Sequence, residues 1–272
     1  MSERVVLITG CSRGIGRATA LELAGAGWTV VATLRGPEGR QELEAAGVNV
    51  LEADVTRPAE VQAAVDEAAR RFGRLDAVVA NAGQGLFGCF EELPAERVEA
   101  LFDLNVQGVL RLARAALPHL RASRGALITV SSIAGRRAAP GSSIYNATKF
   151  ALEGWAEALY YELEPFGVRV VLIEPGPTES DFARRADPGE ARESGPYGAI
   201  TARLRAFRAE AMGRPEPAST VATAIRRALD MAEPPLRWPT GRGTAAQILA
   251  ARLLPWGIYR RLVLGKLALP RT

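Results

Sequence analysis

Val5-Val-Leu-Ile-Thr9-Gly10-Cys11-Ser12-Arg13-Gly14-Ile15-Gly16 runs a short apolar strand into a helix through a glycine-rich turn. Val5–Thr9 carries no polar alternation, the pattern of a strand covered on both faces. The helix after the turn reads as Ile15–Ala26. Glycines at 10, 14 and 16 suit a backbone that must turn tightly and approach a phosphate with no Cβ in the way. The helix N-terminus then offers free N–H groups and a partial positive charge to a pyrophosphate. A glycine triad alone is a weak signal; between a strand and a helix it is a strong one.

Outward from this turn, short β-branched runs alternate with helical patterns. Strands are expected at Thr29–Thr33, Val48–Ala53, Leu75–Ala80, Ala126–Ser131 and Val168–Ile173, and helices at Pro58–Phe72, Glu96–Leu120 and Tyr145–Phe166. The alternation predicts an α/β, Rossmann-like doubly wound parallel sheet with helices on both faces, in one domain spanning 1–272. Asp54, Asn81, Ser132 and Pro175-Gly176 then fall at strand carboxyl ends, where open parallel sheets place their ligand crevice. Residues of about 177–217, rich in Arg, Glu, Pro and Gly, read as a partly helical substrate lid. Residues of about 245–269 form a C-terminal helical extension, broken at Pro255 and short of the roughly 18 apolar residues of a membrane span. That extension can lie on a membrane surface; a packed helix hairpin covering the substrate site is the favoured reading.

Hydrophobic residues make up 48% of the 272 and charged residues 24%, ordinary for a protein with a sizeable core. The formal charge is +4, with arginines scattered and no basic run of the nucleic-acid type. Two cysteines, Cys11 and Cys89, make no disulfide framework, and with the lone His119 they make a zinc site improbable, so no metal is expected. Met1-Ser-Glu-Arg leads straight into the first strand, so no signal peptide is expected and the cytoplasm is the expected location.

The second strand ends in Thr33-Leu34-Arg35, without the acid that commonly accepts from the ribose 2′-OH of NAD. Arg13 and Arg35 are expected instead to flank a 2′-phosphate, which favours NADP(H) over NAD(H). Asp54 can accept from the adenine amino group or cap the helix at Pro58. Tyr145 and Lys149 stand four apart, one turn apart on one helical face. An ammonium beside a phenol makes it easier to ionise, so Tyr145 is expected to pass a proton to or from a reacting oxygen.

Thr9-Gly-Cys-Ser-Arg-Gly-Ile-Gly16, Asp54, Asn81-Ala82-Gly83, Asn105, Ser132, Tyr145-Asn-Ala-Thr-Lys149 and Pro175-Gly176 together resemble the short-chain dehydrogenase/reductase family, with Ser132 thirteen residues before Tyr145. Thr148-Lys-Phe-Ala-Leu-Glu-Gly154 and Ile173-Glu-Pro-Gly-Pro177 look like its hydroxysteroid- and retinol-type members. The resemblance covers about residues 3–182. It implies Tyr145 as acid/base, Ser132 polarising the substrate oxygen, Lys149 on the nicotinamide ribose, and Asn105 anchoring a water in a proton relay. It also implies a cofactor wall of Gly10, Ser12, Arg13, Gly14, Ile15, Gly16, Arg35, Asp54, Val55, Asn81, Ala82, Gly83, Pro175, Gly176, Thr178 and Ser180. Ser180 stands where the family usually has Thr and keeps the hydroxyl.

The expected activity is NADP(H)-dependent interconversion of a hydrophobic ketone or aldehyde and its alcohol. Leu86, Phe87, Phe90, Phe182, Tyr197 and Phe207 are candidates for the substrate pocket, and a homodimer or homotetramer is expected from the family. Two alternatives are a nucleotide-binding sensor or scaffold of the same fold, which would bind cofactor without turnover, and a longer-chain epimerase or dehydratase, which the glycine spacing disfavours.

Overall fold

The computed structural model describes residues 4–179 and 195–268. Seven parallel strands make one sheet: β1 (Val5–Thr9), β2 (Thr29–Leu34), β3 (Asn49–Glu52), β4 (Ala77–Ala80), β5 (Ala126–Val130), β6 (Arg169–Pro175) and β9 (Arg237–Thr240). Their order across the sheet is β3-β2-β1-β4-β5-β6-β9. Two short strands, β7 (Thr178–Glu179) and β8 (Glu216–Pro217), pair separately.

Both faces of the sheet are covered, which is why its five inner strands, β2, β1, β4, β5 and β6, are apolar almost throughout. Val5, Leu7, Val78, Leu127, Val170 and Leu172 point into one core with helices α3 (Pro58–Phe72), α5 (Gly108–Ser123) and α6 (Ser143–Leu163). Val6, Ile8, Ala77, Val79, Ile128, Val171 and Ile173 point the opposite way, against α1 (Gly14–Gly25), α2 (Arg40–Ala45) and α8 (Ala218–Asp230). Strand order reverses between β1 and β4, so the crevice opens at their carboxyl ends.

Three parts differ from the sequence expectation. The helix expected over 96–120 is two α-segments, α4 (Ala95–Phe102) and α5, joined by a π-turn at Asp103–Gln107. Such a turn shifts the side-chain register of the residues beyond it. Residues 218–244, given no element by periodicity, supply α8 and the edge strand β9. Periodicity misses β9 because Arg237-Trp-Pro239-Thr240 holds a proline, tolerated only where a backbone donor is not needed. The C-terminal extension is helical, as α9 (Thr244–Leu253) and α10 (Trp256–Leu267), but it does not cover the site. Helix α9 packs on β9 and α10 on α7 (Gly198–Met212), and neither lines the crevice. Extended backbone at Leu254 and Pro255 separates the two, because a residue before proline is pushed out of the helical region.

Candidate active site

A cleft of about 940 Å³ lies beyond the carboxyl ends of β1, β2, β4, β5 and β6. The glycine turn forms one end of it. Gly10 and Gly14 have φ of 73° and 56°, in the left-handed region that glycine tolerates. A Cβ on Gly10 would stand 2.9 Å from the Ala82 Cα, and one on Gly16 would meet the Gly10 carbonyl and the Asn81 amide. Gly16 therefore serves close packing and does not line the cleft, whereas Gly10, Ser12, Arg13, Gly14 and Ile15 do. Asn81 Nδ2 donates to the Thr9 and Gly10 carbonyls at 2.9 and 3.1 Å, and Thr9 Oγ1 accepts from the backbone N–H groups of Asn81 and Ala82. These bonds stitch the end of β4 to the turn and put Asn81, Ala82 and Gly83 on the cleft wall.

At the far end, Arg13 Nη2 stands 3.1 Å from Glu38, and Arg35 Nη1 stands 3.9 Å from Asp54. Glu38 lines the cleft four residues past Leu34, so an acid does stand at this end, beyond the strand terminus where it was sought. Arg13 Nη1 is buried with no hydrogen-bond partner. Asp54 accepts from the Thr56 N–H and hydroxyl at 2.9 and 2.8 Å, an Asx-turn in place of a helix cap. Burial raises its carboxyl, but the Thr56 bonds and the Arg35 and Arg57 charges outweigh that and hold it below the usual range. Val55 lines the cleft beside it.

The opposite end is built by α6 and the end of β5. Tyr145 is buried, hydrogen-bonded with Ser132. Ser132 Oγ accepts from the Ala134 N–H at 3.1 Å, which fixes the hydroxyl at the start of a short 3-10 turn. Lys149 is buried too; its Nζ donates to the Val130 carbonyl at 2.9 Å and lies 5.9 Å from the centre of the Tyr145 ring. The expected easing of Tyr145 ionisation is reversed: burial pushes the phenol up to about 12, and the Ser132 bond only partly opposes it. Burial also lowers Lys149 to about 8, with the Glu153 carboxylate pulling the other way. Desolvation penalises the charged form of each group and is the largest cause of both shifts.

Residues 4–191 match the short chain dehydrogenase family. The chain belongs to the short-chain dehydrogenase/reductase family. Among solved structures, a short-chain dehydrogenase from Streptomyces avermitilis is 35% identical, with 98% of each chain covered and a TM-score of 0.84. A short-chain dehydrogenase/reductase from Burkholderia phymatum in complex with NAD is 29% identical, covering 91% of this chain and 92% of that one, with a TM-score of 0.78. Human retinol dehydrogenase 8 is 37% identical over 190 residues, 66% of this chain and 61% of that protein. Membership makes the protein a nucleotide-binding oxidoreductase of CH–OH and C=O groups, working by hydride transfer.

In this short-chain dehydrogenase/reductase, Asn105 stands behind the cleft rather than on it. Its Oδ1 accepts from the Gln84 N–H and its Nδ2 donates to the Gln84 carbonyl, both at 2.9 Å, and to Thr148 Oγ1 at 3.2 Å. It lies on the π-turn, and its bonds hold the wall segment at Gln84. Pro175, Gly176 and Thr178 line the cleft, with the Thr178 hydroxyl donating to the Gly176 carbonyl at 3.0 Å. Ser180 and Phe182 lie outside the described residues.

Among the described residues, Phe87 alone of the expected apolar pocket lines the cleft. Leu86 is in the core, Phe90 faces solvent, Phe207 is off the cleft, and the Tyr197 hydroxyl donates to Glu91. Arg137 and Arg208 line the cleft instead, the Arg208 guanidinium 4.4 Å from the centre of the Phe87 ring. Asn146, inside the Tyr-x-x-x-Lys spacing, donates to the Ala134 and Arg137 carbonyls at 2.7 and 3.0 Å and pins the loop beyond Ser132.

Behind the site runs a buried charge network. Ser131 Oγ donates to Glu153 at 2.6 Å, Arg237 reaches Glu153 at 2.9 Å, and Arg136 reaches Glu174 at 2.7 Å. Burial, then the Glu153 charge, raises Glu174 to about 7 against the pull of Arg136 and Arg237. Sequence offered one signal for this network: Lys149, Glu153 and Glu157 recur every four residues along one face of α6.

Proposed function

We propose that the protein is an NADP(H)-dependent oxidoreductase that interconverts a hydrophobic ketone or aldehyde and its alcohol, with Tyr145 as the acid/base. The observation that carries this reading is the buried Tyr145 phenol, bonded to Ser132 and one helical turn from Lys149, at one end of a cleft whose other end is the glycine turn. The cleft fits a dinucleotide on this chain's own features. Gly10 leaves room that a Cβ would fill, and Arg13 Nη1 is a buried donor awaiting an acceptor. A 2′-phosphate would take that donor and the place of the half-exposed Glu38 on Arg13, while Arg35 would close from the other side.

Bound reduced nicotinamide supplies a hydride to the carbonyl carbon. Ser132 donates to the substrate oxygen and orients it, and Tyr145 gives that oxygen its proton. A phenol held at about 12 stays protonated throughout the neutral range, the state reduction requires. Lys149 holds the ribose hydroxyls, and Pro175, Gly176 and Thr178 flank the carboxamide. Phe87 supplies the apolar wall. Exposed Phe150 and Tyr161 on α6 suit a homodimer or homotetramer.

Fluorescence titration with NADPH and NADH tests the cofactor. Tighter binding of NADPH is expected, and Arg13→Ala should erase the difference; equal affinities in the native chain would overturn the NADP(H) reading. Tyr145→Phe should keep NADPH binding and lower the reduction of long-chain aldehydes by roughly 10²–10⁴-fold. Near-native turnover would remove Tyr145 from the chemistry.

A further inference from the structure

Helices α9 and α10 present their apolar residues to water. Leu249, Leu253, Trp256, Ile258, Leu262 and Leu264 are all exposed, Trp256 by 73%. These six are more than half of the eleven large hydrophobics exposed on the described surface, gathered within sixteen residues of chain. A clustered apolar surface of this kind marks a binding face.

Its charge is as one-sided as its polarity. From residue 244 to residue 268 the sequence holds three arginines and one lysine and no acid, although acids and bases are nearly balanced over the whole chain. Arg252, Arg260, Arg261 and Lys266 are exposed among the apolar side chains. Arg260, Arg261 and Lys266 make no ion pair with any described residue. A second copy of the chain is a poor occupant, because a two-fold contact would set this cationic patch against itself. Leu249, Leu253, Ile258 and Leu262 are aliphatic and cannot stack on bases, which argues against a nucleic acid. The partner that satisfies both features is apolar beneath and anionic at its surface.

We infer that α9 and α10 dock this protein on the surface of an anionic lipid bilayer. The helices have 10 and 12 residues, too short to cross one, and no described helix qualifies as a span. They lie in the interface instead, with Leu253 and Trp256 flanking Pro255 among the acyl chains and the arginines at the headgroups. The face also adjoins the cleft. Gln247 on α9 accepts from Arg137, which lines the cleft, and α10 packs on α7, which carries Arg208. A membrane-held protein would thus meet an apolar substrate where such molecules partition.

Co-sedimentation of the full chain with vesicles tests this. Binding is expected to vesicles of phosphatidylcholine mixed with phosphatidylserine, at low salt, and not to phosphatidylcholine alone. Arg260→Glu with Arg261→Glu should weaken it by on the order of 10²-fold or more, and Leu253→Ser with Trp256→Ser should weaken it comparably. Thermal melts establish that each variant is folded; if the apolar variant is not, the charge variant decides. Failure to bind anionic vesicles at low salt overturns the inference. So does binding that both variants retain, or a dimer in light scattering that Leu253→Ser with Trp256→Ser dissociates without any lipid binding in the native chain.

Discussion

Lys149 lies deep enough in the fold for its ammonium to be disfavoured, and a titration near pH 8 falls inside the range of an ordinary binding assay. Above that pH the side chain is neutral and, in the proposed role, would hold ribose hydroxyls without charge assistance. Affinity for NADPH is therefore expected to fall as pH rises through about 8. Glu153→Gln should move that fall to lower pH, because the carboxylate now holds the lysine up. Titrations across pH check both, and a flat profile would remove Lys149 from ribose binding. The spacing of Tyr145 and Lys149 was legible in sequence because helical geometry alone places them together. The direction of the tyrosine shift was not. It depends on burial and on an ammonium drawn to the Val130 carbonyl, and neither is visible in four residues of sequence.

The elements differ in how much local sequence specifies them. The glycine turn was legible because its backbone demands glycine. Gly10→Ala would impose both a left-handed residue and a contact with Ala82, and should destabilise the protein by about 1–3 kcal/mol while weakening dinucleotide binding. A melt and a fluorescence titration on the same variant measure both. The π-turn that carries Asn105 was not legible, since the apolar period runs on through it. Strand β9 was hidden by its arginine and proline, yet it brings Arg237 to Glu153 and Glu174. Arg237→Ala removes one of the cations beside these two buried acids, leaving Arg136 on Glu174 and Ser131 on Glu153, and should destabilise by roughly 1–3 kcal/mol. Adding Glu174→Gln should recover part of the loss in thermal melts; no recovery would mean that the two acids do not interact.

Across the whole molecule, the sheet was legible because five of its seven strands, β1, β2, β4, β5 and β6, are apolar and buried on both faces. What residues 195–217 and the tail do was not, because the described residues there contribute nothing to the two cores that cover the sheet. Hydrogen exchange should rank the sheet from its middle outward. Amides of β1, β4 and β5 should exchange most slowly and those of β3 and β9 fastest, since opening an edge exposes less core. The same strand order bears on how the chain is made. In order of synthesis, β2 pairs with β1, β3 with β2, β4 with β1, β5 with β4, β6 with β5 and β9 with β6. Each strand leaving the ribosome thus meets a finished edge, and none must be wedged between two that are already paired. The sheet can grow from its centre as translation proceeds, with no gap held open for a late arrival.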